Sequence, residues 1–199
     1  MKTPTLTKWA GLLTCAICAS LDVSALNITL GGQPAQREAT LGSAQSGVTG
    51  DGNAGVVEVN AAFGPSWTAE GEAANGGGGP GTYGSGSLEI EILSGNWGSK
   101  GPITGTWEIT NPLFWSTFAD AAISMHVGNG GGDPDHFIWL LTDGALSGTW
   151  EYDGTGHGGG GLSNMKLFSR GIADVPDGGA TAALLGIGLI GMAAFRRKR

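Results

Sequence analysis

The chain has 199 residues, 39 of them glycine, and a formal net charge of −7. Between residues 26 and 174 only 4 cations face 15 acids, so this stretch alone carries −11. Such a charge, with no basic cluster, excludes nucleic-acid binding, which depends on neutralising phosphates. Both cysteines, Cys15 and Cys18, precede residue 26. The rest of the chain therefore has no disulfide framework and no thiolate to bind a metal.

The first 25 residues have the pattern of a secretory signal peptide. Lys2 and Lys8 precede an apolar stretch from Trp9 to Leu21, and small residues then lead to Ala25. We expect export by the Sec machinery and cleavage by signal peptidase after Ala25. A lipoprotein signal, with one of the two cysteines lipidated, is the alternative.

Short stretches of alternating apolar and polar residues lie between glycine runs throughout residues 26–172. Long helices do not tolerate such glycine runs, whereas this alternation is typical of half-buried strands. The predicted strands are 26–30, 57–60, 88–92, 106–110, 123–127, 137–141, 149–152 and 165–168, and residues 111–122 could hold one helical turn. The spacing predicts one all-β domain over 26–172, an antiparallel, jelly-roll-like β-sandwich.

A four-residue string occurs twice in this domain. Gly105-Thr-Trp-Glu108 recurs as Gly148-Thr-Trp-Glu151. We expect two strands with similar roles in opposing sheets, with Trp107 and Trp150 in the core. An exposed sugar-stacking face is the alternative.

Three further tryptophans are candidates for contact with a ligand. Trp67 and Trp115 lie near prolines, and Trp97 lies in a polar stretch. We expect them to be more exposed than the strand tryptophans. An exposed indole presents an apolar face to a sugar ring and keeps a polar N–H.

The stretch 128–136 is rich in glycine and aspartate, and it contains the weak calcium candidates Asp133 and Asp135. A solvated hairpin turn is the favoured interpretation, because these residue types favour turns. His126 and His136 flank the stretch and could approach each other, but a transition metal needs a third ligand. We predict no metal and no cofactor.

Signatures of catalysis are missing from the sequence. No Gly-x-Ser-x-Gly elbow and no P-loop occurs, and none of the acids lies in a recognisable catalytic motif. A glycosidase would need two carboxylates on either side of one bond. We therefore expect a protein that is not an enzyme.

Residues 173–199 combine a turn-forming box, an uncharged apolar run over 180–195 and a basic tail over 196–199. Sixteen helical residues span roughly 24 Å, somewhat less than the ~30 Å hydrocarbon core. The basic tail can snorkel and mark the cytoplasmic side. The run predicts a single transmembrane helix, and a buried core helix is the alternative.

This three-part stretch resembles the PEP-CTERM class of sorting signals, in a variant with Pro-Asp-Gly-Gly after the valine. The resemblance implies recognition by an exosortase-like membrane transpeptidase, with the helix as a temporary anchor. The recognition box would consist of Val175, Pro176, Asp177, Gly178 and Gly179.

Residues 120–170 also resemble the β-rich domain that many exosortase-sorted proteins carry before the tail. Asn164 stands where that family commonly has a histidine. The resemblance implies a secreted sandwich linked to exopolysaccharide and the biofilm matrix. We expect a structural or adhesive protein of the cell envelope, cell surface or extracellular matrix. The alternative is a carbohydrate-binding module that recognises a surface polysaccharide.

Overall fold

Eleven strands and two short helices make up the part of the chain that the computed structural model describes, namely residues 26–32, 37–74, 78–128, 133–155 and 160–172. The elements in chain order are β1 Ile28–Gly31, β2 Glu38–Leu41, β3 Ala44–Gly50, α1 Val56–Phe63, β4 Thr68–Ala74, β5 Gly81–Ser85, β6 Leu88–Ser94, β7 Ile103–Ile109, α2 Phe114–Thr117, β8 Asp120–Gly128, β9 His136–Leu141, β10 Ser147–Asp153 and β11 Gly161–Arg170.

The strands form two antiparallel sheets. Sheet A has the order β1-β2-β10-β7-β6-β5, and sheet B has the order β3-β9-β8-β11-β4. Strands β2, β10 and β7 are neighbours in sheet A, and their chain neighbours β3, β9 and β8 are neighbours in sheet B. The prediction of a two-sheet antiparallel sandwich is confirmed. Within the described ranges, no helix has the length and apolarity needed to span a membrane. The predicted signal peptide and C-terminal helix lie outside those ranges.

The inner faces of the two sheets share one core. On β6, Leu88, Ile90 and Ile92 are buried while Glu89 and Glu91 are exposed, so alternation directs every second residue inward. Aromatic rings connect the layers: Phe137 of sheet B meets Tyr152 of sheet A edge-on, with ring centroids 6.5 Å apart. The core is therefore filled from both sheets, as in other sandwiches.

The strand predicted at 57–60 is wrong, because helix α1 occupies this stretch. Val56, Val59 and Phe63 follow helical spacing and pack on the outer face of sheet B. The helix start is stabilised by the Glu58 carboxylate, which accepts a hydrogen bond from the Gly55 amide at 2.9 Å. The single helical turn expected within 111–122 is confirmed as α2.

The repeated string places two strands side by side rather than in opposing sheets. Strands β7 and β10 are direct neighbours in sheet A, and Trp107 lies opposite Gly148 while Trp150 lies opposite Gly105. Both tryptophans are buried, as predicted. Each copy of the string therefore supplies the glycine that makes room for the indole of the other copy.

The sandwich has two unlike ends. At the exit end, β7 leads into α2, β9 leads into β10, and the described chain leaves β11 towards Ile172. The far end carries the connections after β3, β6, β8 and β10. The residues that define the exit end are Leu26, the connections 110–119 and 142–146, and Ile172.

Candidate functional site

The candidate ligand-contact tryptophans mostly lie inside the domain. Trp67 is 3% exposed and Trp97 is 5% exposed, so both are buried almost as completely as the strand tryptophans, and the expectation of clearly greater exposure is wrong. The Arg170 guanidinium covers Trp67 at 4.7 Å from the ring centroid. The Trp97 indole N–H donates to the Ser163 carbonyl at 3.0 Å. Neither ring has a free face for a sugar.

Trp115 differs from these two because it is only half-buried. It lies on α2 at the exit end, where its indole N–H donates to the Ala145 carbonyl at 2.8 Å. One ring edge is therefore fixed by the protein. Contact between Trp115 and a ligand stays a prediction.

The weak calcium candidates lie at the far end, where Arg37 stabilises their turn. Arg37 is buried and donates to the Pro134 carbonyl at 2.8 Å and to one Asp135 carboxylate oxygen at 3.3 Å. The other Asp135 oxygen accepts a hydrogen bond from the Gly52 amide at 3.2 Å. Asp133 is exposed. In the described ranges, no group of three or more His, Cys, Asp or Glu residues is placed to hold a metal ion. The arrangement shows Asp135 serving as an anchor for the turn.

Tyr152 lies beneath the same end. Its hydroxyl donates to the Gly160 carbonyl, next to the last strand. The pKa of Tyr152 is raised to about 12, chiefly by burial, with Arg37 opposing the rise and Asp153 adding to it. The hydroxyl therefore stays protonated and acts as a donor that holds the β10–β11 connection.

The two flanking histidines meet across the β8–β9 pair, as the sequence allowed. His126 and His136 are register partners, and His136 is buried with Nδ1 3.3 Å from the Gly52 carbonyl oxygen. Burial lowers the pKa of His126, Lys166 and His136 lower it further, and Asp135 and Glu58 oppose. The folded protein therefore favours a neutral His126.

A pocket of about 330 Å³ opens on the outer face of sheet B, between the start of α1, β4 and β11. Phe168 forms part of its apolar wall, and Glu72 and Lys166 lie at its rim. The Lys166 amine lies 3.7 Å from a Glu72 carboxylate oxygen, so the two charges are paired. The pocket therefore combines an apolar wall with one ion pair. It was not apparent in the sequence, because its lining comes from four separate segments.

The outer face of sheet A is acidic. None of its six strands contains a lysine or an arginine. We call this surface the acidic face, and its outward acids are Glu38, Glu89, Glu91, Glu108, Glu151 and Asp153. Two like-charged pairs lie directly opposite each other, Glu89 with Glu108 and Glu38 with Asp153. Such pairs are unfavourable, so the face favours solvent and repels other anions.

Threonines share the outward positions of these strands with the acids. Thr104 and Thr106 flank Gly105 on β7, and Thr29 shares a hydrogen bond of 2.8 Å with Thr40 between β1 and β2. Three of the acids, Glu38, Glu151 and Asp153, line a pocket of about 220 Å³ on this hydroxyl-rich face.

The sorting box Val175, Pro176, Asp177, Gly178 and Gly179 and the cleavage site at Ala25 lie outside the described residues. Comparison with family models matches residues 174–199 to the VPDSG-CTERM motif. Gly178 stands where the name of this motif has serine. No curated protein and no solved structure matches the chain. The described domain joins this segment at the exit end, and residues 174–199 are a VPDSG-CTERM motif, a PEP-CTERM-type C-terminal sorting signal.

Proposed function

We propose that this chain is an exported protein of the cell surface or extracellular matrix, processed by an exosortase-type enzyme at its Val175–Gly179 box. The apolar run 180–195 serves as the membrane anchor until that processing occurs. Sec export and removal of residues 1–25 precede it. The observation that supports this proposal most strongly is the sorting motif at 174–199, which follows the folded domain almost directly.

A structural, non-enzymatic role for the domain is the second part of the proposal. Support comes from the acidic face, which suits a hydrated extracellular surface, and from the Asp135 carboxylate, which is engaged by Arg37 and Gly52. The tryptophans that face the core leave little aromatic surface for stacking. Association with exopolysaccharide or a biofilm matrix would then depend on hydration and hydrogen bonding.

The sorting proposal is tested by changing the box in the native host. Pro176→Ala combined with Asp177→Asn should leave a chain that still ends at Arg199 in the membrane fraction, because the enzyme no longer recognises it. The control is Pro112→Ala, an exposed proline of the domain, which should be sorted like the parent chain. Fractionation and immunoblotting give the result. Equal sorting of the box variant and the parent would refute the role of the box.

A carbohydrate-binding module is the second candidate, and the exposure of Trp115 is the observation that favours it. A glycan array separates the two functions. The structural role predicts no signal above background. A signal that disappears in Trp115→Ala and persists in Trp97→Phe would establish the binding module instead.

A further inference from the structure

Large apolar side chains are concentrated at the exit end of the sandwich. Six are exposed among the described residues, and four of them, Leu26, Leu113, Leu146 and Ile172, lie at this end. Leu113 is 65% exposed and Ile172 is 84% exposed. The half-buried aromatic rings of Trp115 and Phe118 belong to the same end. Clustered apolar exposure of this kind is typical of an interaction surface.

The backbone of this apolar end is held in place by hydrogen bonds. The Leu146 carbonyl accepts from the Ile109 amide at 2.8 Å, and the Leu113 carbonyl accepts from the Ser116 hydroxyl at 2.7 Å. The Leu26 carbonyl accepts from the Ala44 amide at 3.2 Å. These leucines are therefore presented to solvent by a defined backbone.

The sorting segment is attached to this same end. Only residues 173–179 separate Ile172 from the apolar run that begins at Ala180. Seven residues reach at most roughly 25 Å even when fully extended. Leu26, directly after the predicted signal-peptidase site, lies at this end as well. Both apolar targeting segments therefore join the domain beside the exposed leucines.

We propose that the exit end docks on the surface of the lipid bilayer while the sorting helix is in place, with Leu113, Leu146 and Ile172 entering the interfacial layer. This inference rests on the proposed function, in which residues 180–195 anchor the chain. Lipid is the expected partner of this end, because residues 173–179 connect it to the membrane anchor over a short distance. Trp115 is suited to this depth, since tryptophan is enriched at membrane–water interfaces.

The tether explains how a small apolar patch can bind a membrane. A short linker gives an effective concentration on the order of millimolar, so weak contacts become occupied. Cleavage at the box removes the tether, and the same patch then releases the domain. While the domain is docked, the far end, with Arg37 and Asp135, points away from the membrane.

The test compares two exposed leucines in one chain. Leu113→Cys reports on the exit end, and Leu93→Cys, which is 56% exposed on the acidic face near the far end, is the matched control. Both variants are made in the chain 26–199, which keeps the sorting segment and contains no other cysteine. Each is labelled with an environment-sensitive fluorophore and reconstituted into vesicles of phosphatidylethanolamine and phosphatidylglycerol. Flotation reports the anchor, and quenching by spin-labelled lipid or by aqueous iodide reports docking.

Docking predicts that lipid quenches the label at 113 several-fold more than the label at 93, while iodide shows the opposite order. A chain that floats with both labels equally open to iodide overturns docking and leaves the anchor intact. A chain that does not float contradicts the anchor and the docking together. Protection of position 113 in native envelopes but not in vesicles would show a protein occupant, and would also overturn docking on lipid.

Discussion

The reciprocal packing of Trp107 and Gly148 leads to a quantitative prediction. A Cβ at Gly148 would lie 2.7 Å from the Trp107 indole nitrogen and 2.8 Å from the Gly42 carbonyl oxygen. Neither atom can retreat easily, because Trp107 is buried and Gly42 is a backbone neighbour that donates to the Thr149 carbonyl. Gly148→Ala should therefore strain the core although it adds only one methyl group.

Overpacking of this kind costs about 1–3 kcal/mol. For a domain of this size each kcal/mol lowers the melting temperature by about 2–4 °C. Gly105→Ala should cost more, because its Cβ would lie 2.0 Å from the Glu91 carbonyl oxygen of the adjacent strand as well as 2.7 Å from the Trp150 indole.

Urea unfolding followed by tryptophan fluorescence measures this cost. Gly101→Ala is the control, since a Cβ there has no heavy atom within 4 Å. Gly148→Ala should also cost less in a Trp107→Phe background, because the smaller ring relieves the clash. If Gly148→Ala is as stable as Gly101→Ala, the close approach of β10 to the Trp107 indole does not exist and the reasoning is refuted.

Three further predictions concern charges. Arg37→Met should destabilise the fold by about 1.5–3 kcal/mol, because the charge-assisted hydrogen bonds of a buried guanidinium to the 133–135 turn are lost. Exposed Lys100→Met should change little. Equal unfolding midpoints of the two variants would contradict the role of Arg37 in holding this turn. Because the pKa of His126 is lowered, unfolding takes up a proton, so stability should decline as the pH falls through about 6.5. His126→Gln should flatten that decline in urea titrations. An unchanged pH profile would show that protonation of His126 does not cause the decline. Glu108→Lys should stabilise by about 0.2–1 kcal/mol by pairing with Glu89, and a destabilised variant would argue against that register.

Strands with clear alternation could be predicted from the sequence, whereas the stretch 57–60 could not. Val57-Glu58-Val59-Asn60 alternates over four residues, too few to separate a period of 2 from a period of 3.6. Val56 and Phe63, outside that window, complete the helical face. The Gly55 and Glu58 capping contact was the local signal for a helix start.

Strands β2 to β5 were missed because glycine, alanine and polar residues dominate them. Their formation depends on partners far along the chain. Gly71 of β4, for example, bridges to Gly86, and a Cβ at Gly71 would lie 2.6 Å from the Ser85 carbonyl oxygen. β-Propensity gives little information about a strand whose formation depends on the backbone of its neighbours.

The same limit applies to the candidate site. Trp67 has a polar, proline-containing sequence context, yet Phe63 and Arg170 close over it. Arg170 comes from the last strand, so no local pattern shows this burial. By contrast, the sorting segment was identifiable from sequence because its signal is local and needs no tertiary partner.

The proposed sorting function requires processing at both ends of the chain. The most direct test is the intact mass of the protein recovered from the envelope and the medium of its own host. We predict a mature form that begins near Leu26 and terminates near the Val175 box. A form that retains every residue through Arg199 would contradict the sorting function and make the apolar segment a permanent anchor.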